Sequence, residues 1–319
     1  MLCSTPEYEK KRMQKNIILK IPAVLAAGFF ALSVIKVNAY ANMNTLIQAS
    51  TPLLQNIPNR TANIILTCRM INETVLAPGE IFSFNQAVGV RTESRGFKPA
   101  PSFAEGHVED TVGGGICQVS STLYIACLLA NLEIISRTNH SMITDYIKEP
   151  GLDAAVSWGS IDYTFRNSTG SPIIIFAWAD AEAVYVKLDG VKTNDYSVRI
   201  ESKILSVTPY DTVYRVNRAL KPGQKKVIQE PHTGYAVKTY RVIHDAKGNL
   251  ISRTLEATSI YNKTDEIIEY NPSSLDITTS AIFMMTTNNN IKAVITTPAE
   301  TNNNPEGSIC LRNLLYQPF

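Results

Sequence analysis

The stretch Val112-Gly113-Gly114-Gly115-Ile116-Cys117-Gln118-Val119-Ser120-Ser121-Thr122-Leu123-Tyr124 decides how the rest of the chain is read. A glycine run opens backbone geometries closed to other residues and lets a second chain or a substrate approach closely. The residues after it, Cys117 through Ala130, place Leu123, Ala126 and Ala130 on one apolar face and predict a helix. Cys117 then lies in the first turn, where unpaired N–H groups and the helix dipole favour negative charge. Both features lower a thiol's pKa and stabilise the nucleophilic thiolate. N–H groups from Gly115 to Gln118 are placed to stabilise an oxyanion, so Gly113, Gly114, Gly115 and Gln118 are candidate substrate-loop residues. The plainer alternative is a buried cysteine on a tight loop, the commonest fate of a free thiol.

Outward from the helix, Leu132 to Thr138 reads as a strand, followed by Asn139-His140-Ser141. A helix from Cys117 to Ala130 travels roughly 20 Å at about 1.5 Å per residue. A strand from Leu132 to Thr138 returns roughly 20 Å at about 3.3 Å per residue. Packed antiparallel, the two bring His140 level with Cys117, and a thiol beside an imidazole is the minimum for covalent acyl transfer. Asp153 and Asp162 are the candidates to orient the imidazole. Asp162 shares a polar strand face with Thr164 and Arg166, so an ion pair with Arg166 competes. Asp153 follows the turn at Pro150-Gly151 and is slightly preferred, because loop ends collect site residues. His107, just before the glycine run, reads as an exposed turn residue.

The first 41 of the 319 residues differ from the rest: Lys10, Lys11, Arg12, Lys15 and Lys20 precede the apolar run Ile21–Ile35, and Ala39-Tyr40-Ala41 offers a cleavage site. Residues 1–41 are therefore expected to be a signal peptide or membrane anchor, which places the mature chain outside the cytoplasm with possible membrane association through this segment. The leader takes six of the 30 basic and two of the 28 acidic residues, leaving 24 against 26. That balance holds no electrostatic footprint for nucleic acid. Of five cysteines, Cys3 falls in the leader; Cys68 and Cys127 lie in apolar helical patterns and read as packing residues. No cysteine or histidine spacing fits a zinc site, and no metal or other cofactor is expected.

Upstream, residues 44–58 read as a short lead-in. Asn59-Arg60-Thr61 opens a helix with Ile64, Cys68 and Ile71 on one face, ending near Glu73. Ile81–Phe84 is a short strand, and Arg91 to Gly96 a polar segment that either lines a pocket for an anionic group or is an exposed loop. Downstream, Ile161–Arg166, Ile173–Trp178 and Val184–Leu188 form a meander. A second, all-β stretch includes Tyr196–Ile200, Ala236–Val242 and Leu250–Thr254. From residue 271 runs of asparagine with threonine, serine and proline read as a disordered tail.

Pro58-Asn59-Arg60, Leu76 through Asn85, Arg95-Gly96-Phe97, Gly113 through Tyr124, His140-Ser141 and Ile161 through Asn167 occur in the order that identifies a VanW-family domain over roughly residues 50–190. The resemblance implies an exported or membrane-anchored cell-envelope protein of a Gram-positive-type bacterium. For some members it implies an L,D-transpeptidase acting on peptidoglycan stem peptides with this cysteine as nucleophile. Leu220 through Thr258 resembles the five-glycine (G5) domain, which implies an elongated module that spaces the catalytic domain or holds cell-wall glycan. Where the family has Gly-Arg-Asp-Ala-Thr-Val, this chain has Gly151-Leu152-Asp153-Ala154-Ala155-Val156, losing an arginine and a threonine. The expected fold is α+β: a VanW-type domain at 42–190 with helices packed on an antiparallel sheet, a small all-β module at 191–270 and a disordered tail at 271–319. The expected function is cysteine acyl transfer on stem peptides or another cell-wall polymer. The alternative is a non-catalytic peptidoglycan- or glycopeptide-binding accessory protein.

Overall fold

The computed structural model describes residues 43–53, 57–104, 107–193 and 195–272. The leader expected at 1–41, Cys310 and all but the first two residues of the expected tail lie outside the described residues.

Helix α1 (Pro58–Ile71) starts with proline in its first turn, where the missing N–H costs nothing, and buries Asn63, Ile64, Thr67, Cys68 and Ile71 along one side. It opens where the sequence predicts and stops two residues before Glu73, whose φ of +61° ends the helix. Strands β1 (Asn44–Pro52), β2 (Thr74–Leu76), β8 (Ile173–Ala179) and β9 (Ala183–Gly190) form a sheet in the order β1-β9-β8-β2. Every second residue of β9 is buried, with Val184, Val186 and Leu188 facing the helices. Against this sheet pack α1 and helix α3 (Cys117–Leu129).

A second sheet joins β3 (Ile81–Ser83), β6 (Glu133–Ser136) and β7 (Thr164–Arg166) in the order β3-β7-β6. Phe82 pairs with Phe165, their rings 5.2 Å apart, and Tyr163 meets Tyr124 of α3 edge to face at 5.7 Å. Cys68 and Cys127 are free and buried in this core, as their helical pattern implies.

Two sequence expectations change, and a hairpin appears that the sequence reading did not include. The lead-in at 44–58 contains β1, an edge strand of the main sheet. The polar segment before the glycine run leads into a hairpin, β4 (Pro99–Ala104) with β5 (His107–Val112). Phe84 leaves β3 to begin a short helix, α2 (Phe84–Val88), because the Ser83 side chain accepts from Gln86 N and caps it.

The following module holds two three-stranded sheets. One runs β10 (Ser197–Thr208), β13 (Gly234–His244), β14 (Leu250–Tyr261), all antiparallel. The other runs β11 (Thr212–Val216), β15 (Glu266–Tyr270), β12 (Lys225–Gln229), with β11 and β15 parallel. The strands predicted at 196–200, 236–242 and 250–254 overlap β10, β13 and β14, with Tyr196 just before β10; β11, β12 and β15 carry no clear alternation. Among the described residues no helix is long and apolar enough to cross a membrane.

Candidate active site

The glycine run is a turn clamped onto α1. The Asn63 side chain donates to Lys98 O (2.8 Å) and Gly114 O (3.0 Å) and accepts from Lys98 N (2.8 Å). A side chain on Gly114 would place its Cβ 2.1 Å from the Ala100 carbonyl oxygen, so only glycine fits between the hairpin and the turn. Gly115 has φ +100° and sits against the Arg60 side chain, a second position closed to L residues. The turn delivers Cys117 to the first turn of α3, whose N-cap, Ile116, offers no side-chain cap. Ile116 N–H and Gln118 N–H are already spent, on Gly113 O (3.3 Å) and Gly115 O (3.1 Å). Those of Gly115 and Cys117 have no acceptor among the described residues.

Two serines of α3 set the distance to the facing segment. Ser120 Oγ donates to Ala154 O (2.7 Å), and Ala154 N donates to Ser121 Oγ (2.9 Å). This brings Val156 O to 3.5 Å from Cys117 Sγ and fixes Asp153 next door. His140 reaches the same place from β6. Its Nδ1–H donates to Asp153 Oδ2 (2.6 Å), as does its backbone N–H (2.7 Å). With Nδ1 so engaged, Nε2 is the ring nitrogen left for the thiol, and Cys117 and His140 line one cleft.

Asp153 is held from all sides and is 2% exposed. Arg137 Nη2 donates to its Oδ1 (2.9 Å) and Arg137 Nε to its backbone oxygen (2.6 Å). The Tyr261 hydroxyl also donates to Oδ1, while itself accepting from Gly151 N (2.7 Å). Arg137 Nη1 donates to Ser259 Oγ (2.7 Å). Ser259 and Tyr261 both belong to β14, so the β module supplies part of the shell around Asp153. Asp162 stands elsewhere: its oxygens accept from Ser83 Oγ (2.6 Å) and Asn85 N (2.9 Å), fastening the start of α2. Arg166, its expected competitor partner, pairs with Glu133 at 2.9 Å. The carboxylate that meets His140 is therefore that of Asp153. Gln118 has a structural tie as well. Its side chain is fully buried, accepting from Arg60 Nη2 (2.7 Å) and donating to Thr51 Oγ1 (3.1 Å) and Pro52 O (3.0 Å), so it ties β1 to α3 at the wall of the cleft.

Burial pushes the Cys117 thiol up, but the hydrogen bond and charge of His140, the Val156 contact and the charge of Arg91 outweigh it, and its pKa falls below 9.0. Burial works to lower His140, yet the hydrogen bonds to Asp153 and Cys117 raise it to about 10. Asp153, despite burial, is held below 3.8 by His140 and Arg137. The two shifts run in opposite directions, so each group favours the charged form of the other. Cys68 and Cys127, with burial dominant, rise to about 12. The wild-type minus Cys117→Ala difference in absorbance at 240 nm should accordingly show one thiolate already formed below pH 9. His140→Ala should shift that step upward by at least one unit. A step unmoved by His140→Ala would mean that the helix start alone sets the thiol.

The site opens into a cleft of about 480 Å³ whose walls include Arg60, Arg91, Gly115, His140, Tyr146 and Trp158. Sequence reasoning missed Arg137 and Tyr261. Arg137 sits three residues before His140 inside a strand-like stretch, and Tyr261 lies 108 positions from the carboxylate it binds, with no local signal. Among the described residues no group of three or more His, Cys, Asp or Glu side chains could hold a metal ion.

Residues 59–188 match the family described as VanW like protein, and residues 199–272 the G5 domain. Over 139 residues the chain is 43% identical to the uncharacterized protein YoaR of Bacillus subtilis, covering 44% of this chain and 46% of that protein. Over 132 residues it is 32% identical to the vancomycin B-type resistance protein VanW of Enterococcus faecalis, covering 40% and 47%. The chain spans about half the length of these curated relatives. The solved G5 domain of an IgA1 protease aligns with 26% of this chain and 98% of that domain, at 20% identity and a TM-score of 0.18. The glycine turn, the cysteine helix and the histidine facing it all fall within the first matched region: the chain carries a VanW-family domain followed by a G5 domain.

Proposed function

We propose that the VanW domain is a cysteine acyl transferase of the cell envelope, acting on peptidoglycan stem peptides in the manner of an L,D-transpeptidase. The observation that carries this reading is that Cys117 and His140 line one cleft while His140 is hydrogen-bonded to the buried Asp153, with the thiol shifted down and the imidazole up. Cys117 Sγ attacks the peptide carbonyl at a diaminoacyl residue. The N–H groups of Gly115 and Cys117 hold the resulting oxyanion. The C–N bond then breaks as His140 Nε2–H protonates the departing amine, leaving an acyl thioester. An amine of a neighbouring stem attacks the thioester, His140 takes its proton, and a new amide forms with the thiolate and imidazolium restored. With water as acceptor the same steps give a carboxypeptidase. Asp153 keeps the imidazole in the tautomer that presents Nε2. The leader at 1–41 would export the chain, and the G5 domain would hold it near glycan.

Intact-mass spectrometry after brief exposure of the wild-type protein to tetrapeptide-stem muropeptides should show an acyl adduct at Cys117, with release of a D-amino acid and formation of cross-linked dimers. No adduct, released amino acid or dimer across several stem peptides would sink the enzymatic reading. A second reading rests on Trp158, 52% exposed at the cleft, which suits a binding surface for peptide or glycan without chemistry. The resistance association of the Enterococcus faecalis relative accommodates either reading. The binding reading expects the Cys117→Ala protein to retain peptidoglycan and no preparation to form an adduct.

A further inference from the structure

The two arginines of the cleft are held differently. Arg60 donates to Gln118 Oε1 (2.7 Å) and lies over the Tyr146 ring at 5.9 Å, so its fork is partly spent on the fold. Arg91 has no such engagement. All three of its guanidinium nitrogens are shielded from solvent, and none has an acceptor among the described residues. Its guanidinium carbon lies 5.8 Å from the centroid of the Trp158 ring, and its stem packs on Gly113, where an added Cβ would sit 3.1 Å away. The nearby carboxylate, Asp162, has one oxygen on Ser83 Oγ and the other on Asn85 N. Arg95, the neighbouring cation, donates to Val90 O at 2.6 Å and offers no counter-charge. The guanidinium is close enough to influence the Cys117 thiol, and burial pulls its own pKa down from 12.5. A desolvated guanidinium with its donors unmet is costly, and a planar carboxylate meets two of them at once.

We propose that Arg91 is the specificity-determining residue of the cleft, receiving the free α-carboxylate of the amino acid that leaves the acyl donor. This rests on the acyl-transfer reading, and it makes the site selective for a peptide ending one residue beyond the scissile carbonyl. The α-carboxylate of such a leaving residue lies one carbon from the nitrogen that departs, so an anion receptor must line the same cleft as the reacting sulfur, as Arg91 does. A donor blocked at that carboxylate, or extended by further residues, brings no charge to it.

The test is equilibrium binding by calorimetry, with Cys117→Ala protein so that nothing turns over. The probe is a synthetic tetrapeptide stem in three forms: free acid, C-terminal amide, and free acid with the side-chain carboxyl of its diamino acid amidated. The free acid should bind at least tenfold more tightly than the C-terminal amide. The third form should bind like the free acid. In Cys117→Ala/Arg91→Gln the preference should vanish, and Arg91→Lys should restore part of it. Equal binding of acid and C-terminal amide, binding of neither, or a loss tied to the side-chain amide would overturn the assignment. The acid-versus-amide comparison needs no Arg91 variant, so it stands even if Arg91→Gln folds poorly. Failure of the acyl-transfer reading shows separately, as a wild-type protein that forms no thioester.

Discussion

Cys117→Ala should reduce D-amino acid release and dimer formation by at least about 10⁴-fold, because removing a nucleophile removes the covalent path and leaves only binding and oxyanion stabilisation. Its stability should change by less than about 1 kcal/mol, since the residue is partly buried at the edge of the core and one side of it opens on the cleft. Cys127→Ala is the control with the opposite outcome. Cys127 is fully buried among the core residues of α3, so its loss leaves a cavity costing roughly 1–2 kcal/mol. At about 2–4 °C per kcal/mol for a chain of this size, its melting temperature should fall measurably while activity per folded molecule stays at wild-type level. Full activity in Cys117→Ala would strip Cys117 of the nucleophile's role.

Asp153→Ala should be the most damaging single change to the fold. Asp153 is the buried counter-charge of Arg137, whose side chain is 4% exposed. Truncation strands that guanidinium and costs roughly 3–5 kcal/mol, on the order of 10 °C in melting temperature. Asp153→Asn keeps the shape but not the charge, and should lower turnover by about 10²–10⁴-fold because the imidazole loses its tautomer and its counter-ion. The pH dependence has a definite sign. The folded carboxyl lies below its ordinary 3.8, so its stabilisation is complete above that value and is lost as pH falls through the folded pKa. Wild type should therefore exceed Asp153→Asn in stability at pH 7, with the gap closing below about pH 4. A constant gap from pH 7 to 3 in thermal melts would mean that packing, not charge, carries the effect.

The same experiments probe the G5 domain. Tyr261 and Ser259 reach Asp153 and Arg137 from β14, and Arg241 of β13 donates to Asn131 Oδ1 (2.9 Å) and Leu132 O (2.8 Å) beyond α3. The module expected to act as a spacer thus also braces the segment that carries the imidazole and its carboxylate.

What the sequence by itself determined is local. The glycine run can only be a turn, since Gly114 has no room for a Cβ and Gly115 takes a positive φ, and both constraints show as residue type. The start of α1 at a proline, the start of α3 at Cys117 and the alternation of β9 follow from residue order and spacing. Even the meeting of His140 with the helix start follows from rise per residue, because a helix and a strand of those lengths return the chain to its origin. The tertiary structure decided which polar groups pair across long separations. Asp153 and Asp162 both looked able to orient the imidazole, and only the folded chain sends one to His140 and the other to cap α2. Gln118 sits in the loop that reads as substrate-facing, and only the folded chain ties its side chain to Arg60 and Thr51, 58 and 67 positions away. Strand β1 has too little alternation to declare itself and exists because β9 offers an open edge. A buried hydrogen bond or ion pair depends on where two distant segments are brought together in a desolvated interior, and local spacing carries no record of that.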